Sequence, residues 1–146
     1  MKKVREIMRP GFVHAVQRHS SVAEAARVMA AQNVGIVAVL DGERLVGVCS
    51  ERDVVQKVVD RGLDAAATPV ARVMTSQLVV ANSDDDCASA MRAMDSANIR
   101  HLPVVSGDRL LSMLSIRDLM RAELDERGEE IRYLTEYLYQ VGPSSG

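Results

Sequence analysis

The chain has 146 residues, of which 47% are hydrophobic and 26% charged, as is typical of a soluble globular protein with a buried core. Its net charge of −2 and its 3% of aromatic residues disfavour a nucleic-acid partner, which needs a basic surface or stacking side chains. No apolar run is long enough to span a bilayer, and the N-terminus does not resemble a signal peptide. Cys49 and Cys87 lack the spacing of a metal or redox pair, so we expect a cytoplasmic protein without a membrane partner.

The chain contains an internal repeat. Aligning residues 22–56 with residues 87–121, an offset of 65, gives twelve identities over 35 positions without a gap. The identical pairs are Ala23/Ala88, Ala25/Ala90, Arg27/Arg92, Met29/Met94, Asn33/Asn98, Val39/Val104, Gly42/Gly107, Arg44/Arg109, Leu45/Leu110, Ser50/Ser115, Arg52/Arg117 and Asp53/Asp118. This agreement predicts two copies of one structural unit, copy one over residues 1–65 and copy two over residues 66–122.

Each copy predicts a β-α-β-β-α unit. In copy one, Ser20 and Ser21 are cap residues before a helix that begins near Val22. The predicted elements of copy one are a short helix over 4–8, a strand over 12–16, a helix over 22–33, a buried strand over 35–40, a hairpin turn at 41–42, a strand over 44–49 and a helix from Ser50. Those of copy two are strands over 78–81, 101–105 and 110–114 and helices over 86–97 and from Ser115.

The segment between the copies and the C-terminal tail carry separate predictions. Thr68 is expected to cap a new helix, with Pro69 at its first position. After residue 122, residues 123–146 form an acidic stretch, a C-terminal helix and a polar end. Ile131, Leu134 and Leu138 share one helical face, which predicts either a helix that covers its own core or a dimer-contact helix.

The same short motif ends the last strand of each copy. It reads Ser50-Glu51-Arg52-Asp53 in copy one and Ser115-Ile116-Arg117-Asp118 in copy two. A helix N-terminus collects free backbone N–H groups and the positive end of the helix dipole, so it suits an anion. The aspartate suits hydroxyl donors such as those of a ribose. Ser-x-x-Asp is also a structural capping box, but its repetition with an arginine favours a ligand site.

Two such units would pack about a pseudo-twofold axis through equivalent apolar sheet faces, forming two clefts bordered by both copies. The sequence resembles the CBS domain pair, or Bateman module, here as a small stand-alone tandem pair. The segments that carry the resemblance are Ile7-Met8, Val73-Met74-Thr75, Ser21-Val22-Ala23-Glu24-Ala25, Ile99-Arg100-His101-Leu102-Pro103-Val104-Val105 and Gly47-Val48-Cys49-Ser50-Glu51-Arg52-Asp53. The implied fold is α+β, with two pseudo-twofold-related CBS units in one module and a C-terminal helix.

The resemblance implies a regulatory sensor rather than an enzyme. Its ligand would be an adenosine compound (AMP, ADP, ATP, NAD or S-adenosylmethionine), its assembly a homodimer, and its output an unidentified effector protein. The implied ligand contacts are Asp53 and Asp118 to ribose hydroxyls, Ser50, Arg52, Ser115 and Arg117 near phosphate or ribose, Arg100 and His101 to phosphate, and Val34-Gly35 and Ile99-Arg100 around adenine. By the family's crossing pattern, Asp118 serves the cleft of Val34-Gly35, and Asp53 the cleft of Ile99-Arg100.

The two clefts are not expected to be equivalent. Copy one has Ile36 where copy two has His101, and Ser112 replaces Gly47, which is expected to narrow its cleft. The cleft of Asp53, with Arg100 and His101 nearby, is therefore preferred for a phosphorylated ligand. Two alternatives stay open: His101 is an ordinary strand residue, or the whole protein is an interaction scaffold with empty clefts whose tail carries the function. No catalytic or metal-ligand set can be assembled from the sequence.

Overall fold

The computed structural model of the protein describes residues 2–9, 13–126 and Glu136. The predicted apolar face of the tail, at Ile131, Leu134 and Leu138, lies outside the described residues. The beginning of the predicted first strand, at Phe12, lies outside them as well.

Helices and strands alternate in the order that the repeat predicts. The elements are α1 (Val4–Ile7), β1 (Ala15–Gln17), α2 (Val22–Gln32), β2 (Ile36–Asp41), β3 (Arg44–Ser50), α3 (Glu51–Val54) continued by a π-helical turn (Val55–Val59), a 3₁₀ turn (Val70–Arg72), β4 (Ala81–Asn82), α4 (Cys87–Ala97), β5 (His101–Ser106), β6 (Arg109–Ser115) and α5 (Ile116–Glu126). The six strands form one mixed sheet in the order β1-β2-β3-β6-β5-β4. The predicted α+β fold of two repeated units is confirmed.

Local sequence explains where the long helices begin and end. Ser21 caps α2, since its hydroxyl accepts a hydrogen bond from the Glu24 N–H at 3.1 Å. Asn33 and Asn98 follow α2 and α4, and both have a φ of 54°, in the left-handed region that asparagine tolerates and that ends a helix. The predicted boundaries of α2 and α4 are confirmed.

The two halves of the sheet repeat one register. Ile36 pairs with Ser50 in copy one, and His101 pairs with Ser115 in copy two. The halves are joined at one edge where Arg44 of β3 pairs with Arg109 of β6. Helices, strands and connecting segments form one core cluster in each copy.

The first segment of each copy completes the core of the other copy. Val4 of α1 is fully buried in the core of copy two, and its N–H donates to the Asp85 carbonyl at 2.8 Å. Val70 and Val73 lie in the core of copy one, and the Val70 N–H donates to the Ser20 carbonyl at 2.7 Å. The order of the chain and the packed units therefore differ, because residues 70–73 belong to copy two but stabilise copy one.

Two predicted details differ from the structure. Pro69 is extended and pairs with Ser21 in an isolated bridge, while the Thr68 hydroxyl donates to the Asp64 carbonyl at 2.7 Å. Thr68 therefore does not cap a helix, and a single 3₁₀ turn follows. The strand predicted over residues 78–81 is reduced to β4 at Ala81–Asn82, because the residues before Ala81 border a cleft instead of pairing with β5.

A candidate ligand cleft between the two copies

A large cleft of about 1390 Å³ lies between the two copies. Copy one contributes the start of β2 and the junction of β3 with α3, and copy two contributes the C-terminal half of α4 and the start of β5. Six of the predicted ligand-contact residues line it: Gly35, Ser50, Arg52, Ile99, Arg100 and His101. The predicted grouping of Ser50 and Arg52 with the Ile99–His101 segment across the copies therefore corresponds to one continuous cavity.

The Ser-x-x-Asp motifs form hydrogen-bonded caps in both copies. Asp53 Oδ2 accepts from the Ser50 N–H at 3.0 Å, and Ser50 Oγ accepts from the Asp53 N–H at 3.2 Å. In copy two, Asp118 Oδ2 accepts from the Ser115 N–H at 3.0 Å, and Ser115 Oγ accepts from the Asp118 N–H at 3.1 Å. Both motifs are thus capping boxes, so each motif stabilises the N-terminus of its helix, as the structural alternative from the sequence predicted.

Asp53 is directed into the protein and is absent from the cleft lining. It is 6% exposed. Its carboxylate accepts from the Thr75 hydroxyl at 3.2 and 3.3 Å and from the Ser50 hydroxyl at 3.1 Å. The Lys57 ammonium lies 2.9 Å from Asp53 Oδ1 and also donates to the Val73 carbonyl at 2.9 Å. The sequence had assigned Asp53 to a ribose, whereas the fold supplies it with four donors of its own.

Asp118 has a different environment, although the motif around it is the same. Asp118 is half-buried, and among the described residues its carboxylate accepts a hydrogen bond from the Ser115 N–H. At the offset of the repeat, Ala122, which carries no side-chain donor, replaces Lys57. The first segments of the two copies correspond as Val4 to Val70 and Met8 to Met74, so Arg9 stands where Thr75 does. The two aspartates are therefore equivalent in sequence but not in their bonding.

Three of the predicted residues besides the aspartates do not line this cleft. Val34 packs against the core of copy one. Ser115 and Arg117 lie at the start of α5, where the neighbouring Ile116 does border the cavity.

The cleft carries positive charge. Arg52, Arg92 and Arg100 line it, against the carboxylates of Glu51 and Asp95. Sequence reasoning did not include Arg92, although its identity with Arg27 in the repeat was a signal. Arginine side chains at such a position form charge-assisted, often bidentate hydrogen bonds with phosphate.

His101 joins this cationic wall as a neutral side chain at pH 7. Burial lowers its pKa from the ordinary 6.5, the negative charge of Asp118 acts to raise it, and the positive charge of Arg100 lowers it further. A neutral imidazole both donates and accepts a hydrogen bond. His101 pairs with Ser115, three residues before Asp118, across β5 and β6.

Position 47 and its repeat equivalent, position 112, both lie against the segment that opens the other half of the repeat. A Cβ on Gly47 would lie 2.5 Å from the Met74 sulfur and 3.0 Å from the Thr75 carbonyl oxygen, so glycine allows the close approach of this segment. Ser112 is buried, and its hydroxyl donates to the Arg9 carbonyl at 3.0 Å. The Ser112 side chain therefore holds the segment after α1, and the expectation that it narrows its cleft stays a prediction.

Within residues 2–9 and 13–126, no group of three or more His, Cys, Asp or Glu side chains is arranged to hold a metal ion. Among these same residues, no helix is both long and apolar enough to span a membrane.

The fold and the cleft define a module of two repeated units with a cavity between them. The model of the CBS domain family matches residues 4–60 and 70–125, which is most of the chain. The chain therefore belongs to the CBS domain family, and its two domains together form a Bateman module.

Curated relatives support this membership. The chain is 33% identical over 123 residues to the mitochondrial CBS domain-containing protein CBSX3 of Arabidopsis thaliana, covering 81% of this chain and 60% of that protein. It is 32% identical over 107 residues to the CBS domain-containing protein YhcV of Bacillus subtilis, covering 73% of this chain and 76% of that protein. The chain thus spans less than two thirds of CBSX3, and only 17% of another Arabidopsis relative, CBSCBSPB5.

Solved structures share the fold, and two of them contain AMP. A CBS domain protein from Pyrobaculum aerophilum complexed with AMP is 29% identical, with a TM-score of 0.71, and the match covers 80% of this chain and 89% of that one. CBSX2 in complex with AMP is 26% identical, with a TM-score of 0.75, and the match covers 87% of this chain and 99% of that one.

Proposed function

We propose that this protein is a non-catalytic regulatory module that binds an adenosine-containing nucleotide in the cleft between its two CBS domains. The observation that carries the proposal is the convergence of Arg52 from copy one with Arg92, Arg100 and His101 from copy two on one cavity. The AMP complexes of two structural relatives support it. Candidate ligands are AMP, ADP, ATP, NAD and S-adenosylmethionine.

The cleft has distinct environments for the two ends of a nucleotide. The arginines and His101 suit the phosphate, because cationic and N–H donors strengthen hydrogen bonds to an anion. Gly35, Ile36 and Ile99 border the same cavity with apolar side chains and backbone, which suits the flat face and the edge of a base. A bound ligand would touch both copies and thereby stabilise them against separation.

A thermal-shift panel of the five candidate ligands tests this function. Binding to the folded state stabilises it by RT ln(1 + [L]/Kd), about 2.7 kcal/mol at a hundredfold excess over Kd. We expect at least one ligand to raise the unfolding temperature and Arg100→Ala to reduce the shift; Arg44→Ala, at the junction of the sheet halves, is the control. If no ligand shifts the midpoint and none co-purifies, the scaffold alternative with empty clefts replaces this proposal.

We also propose that the module forms a homodimer through the helices that follow the motifs. Val55 and Val59 are 59% and 68% exposed, and Met120, the repeat equivalent of Val55, is 42% exposed. Large apolar side chains at repeated positions of two helices form a surface that association would cover. We expect a dimer in sedimentation equilibrium and a monomer for Val55→Asp/Met120→Asp. A wild-type monomer at micromolar concentration would contradict this assembly.

A further inference from the structure

We infer that the cleft distinguishes nucleotides by the number of their phosphates, and that Arg92 is the specificity-determining residue because it binds the phosphates beyond the first. The inference deepens the proposed nucleotide-binding function and rests on it. It names nucleoside di- and triphosphates as the preferred class of ligand. Arg92 is not one of the contacts that the sequence predicted.

The cleft follows α4 along its whole length. The residues that line it share one face of this helix and are Ala88, Met91, Arg92, Asp95 and Asn98. At the rise of an α-helix, the distance from Ala88 to Asn98 is about 15 Å. The volume of about 1390 Å³ also exceeds the roughly 300–1,000 Å³ of pockets that enclose one small molecule. A nucleoside monophosphate bound at the start of β5 would therefore leave the cleft open along the first turns of α4.

The Arg92 side chain is directed toward this open end. Its Nη2 donates to Ser89 Oγ at 3.2 Å, one turn nearer to the start of α4. A guanidinium carries five N–H donors, so this bond holds the side chain while using only one of them. Arg92 precedes Asn98 by six residues, which places the two about 9 Å apart along the helix axis. A phosphate held at Arg100, just after the helix, is thus separate from Arg92, and further phosphates would extend from one toward the other.

The arginines of the cleft are not neutralised by neighbouring carboxylates. Within the described part of the chain, no ion pair involves Arg52, Arg92 or Arg100. Each phosphate beyond the first adds negative charge and acceptor oxygens, and a guanidinium binds such oxygens through charge-assisted, often bidentate hydrogen bonds. Cations that come from three different elements and have no carboxylate partner therefore favour the more highly charged nucleotides.

The two carboxylates of the cleft restrict where the phosphates can bind. Glu51 Oε1 lies 3.3 Å from the position of a Cβ on Gly35, so its charge is at the wall that suits the base and repels phosphate there. Asp95 follows Arg92 by three residues on the same helix, and it weakens the attraction of Arg92 for an anion. An added phosphate consequently gains from Arg92 only through direct contact, and we expect a moderate preference rather than a large one.

Calorimetric titration with AMP, ADP and ATP tests the inference in three full-length proteins: wild type, Arg92→Met and Arg27→Met. Arg27 is the repeat equivalent of Arg92 on α2 and is absent from the cleft lining, so it is the matched control. We expect the wild type to bind ADP and ATP roughly tenfold more tightly than AMP. Arg92→Met should weaken ADP and ATP roughly tenfold while keeping the AMP Kd within about threefold. Arg27→Met should keep the affinities and the preference of the wild type.

The outcomes separate this inference from the proposed function. If the wild type binds AMP as tightly as ADP and ATP, or if Arg92→Met weakens all three alike, the inference is overturned and the proposed function stands. If Arg27→Met lowers the ADP affinity as much as Arg92→Met does, the preference reflects overall charge, and the inference is overturned as well. If the folded wild type binds none of the three nucleotides, both the inference and the function on which it rests fall.

Discussion

The ion pair between Lys57 and Asp53 is expected to contribute measurably to stability, and Lys57→Met removes it. The ammonium lies 2.9 Å from the carboxylate, where Coulomb attraction at an effective dielectric constant of about 20 is about 6 kcal/mol. Desolvation of the nearly buried Asp53 offsets much of this attraction. The lysine also loses up to about 2 kcal/mol of rotamer entropy. Because the Lys57 side chain is 31% exposed, we expect a net coupling of about 1–3 kcal/mol.

A double-mutant cycle measures this coupling directly. Urea unfolding of wild type, Lys57→Met, Asp53→Asn and the double variant gives four free energies of unfolding, from which the pairwise term follows. The matched control is Arg18→Met, which breaks the exposed pair with Asp41 at 3.6 Å and should change stability by less than about 0.5 kcal/mol. A coupling below about 0.5 kcal/mol would refute the claim that Lys57 occupies Asp53.

Three further predictions concern single side chains. Gly47→Ser should lower the free energy of unfolding by about 1–3 kcal/mol, because a Cβ meets Met74 and the Thr75 carbonyl; an unchanged urea midpoint would show that this contact relaxes freely. Burial, together with the charge of Asp53, raises the pKa of Cys49 to about 11. We therefore expect this thiol to react with a disulfide reagent at pH 8 only after the protein unfolds, and rapid labelling of the folded protein would contradict the burial. Because the pKa of His101 is lowered in the folded state, the unfolded state binds more protons between that pKa and 6.5. The free energy of unfolding should therefore rise with pH across this window, and His101→Gln should flatten the rise. Equal slopes in the two proteins would show that His101 is not desolvated.

The repeat made the fold predictable. Ser21 before α2 and the asparagines after α2 and α4 are local signals, and each acts within a few residues of its own position. The equivalence of Asp53 and Asp118 was a sequence fact too, and it predicted one motif aspartate at each of two clefts that differ in other residues. Signals of this kind act locally, so they were sufficient to predict the helices and the capping boxes.

The chemistry at Asp53 could not be predicted in the same way. Lys57 at the fourth position after Asp53 was a visible local signal for an ion pair. Thr75 was not, since it reaches Asp53 only because the first segment of copy two packs against copy one. The sequence favoured the cleft of Asp53 because Arg100 and His101 were expected near it, and it carried no signal for the contact between Thr75 and Asp53.

The central claim, that the cleft between the two copies binds an adenosine nucleotide, is tested most directly by titrating the ¹⁵N-labelled protein with AMP and following its amide resonances. We predict saturable shifts concentrated at Gly35, Ile99, Arg100 and His101, with little change at the Arg44–Arg109 junction of the two sheet halves. Resonances that stay unchanged at millimolar AMP, or that shift only away from the cleft, would contradict the claim.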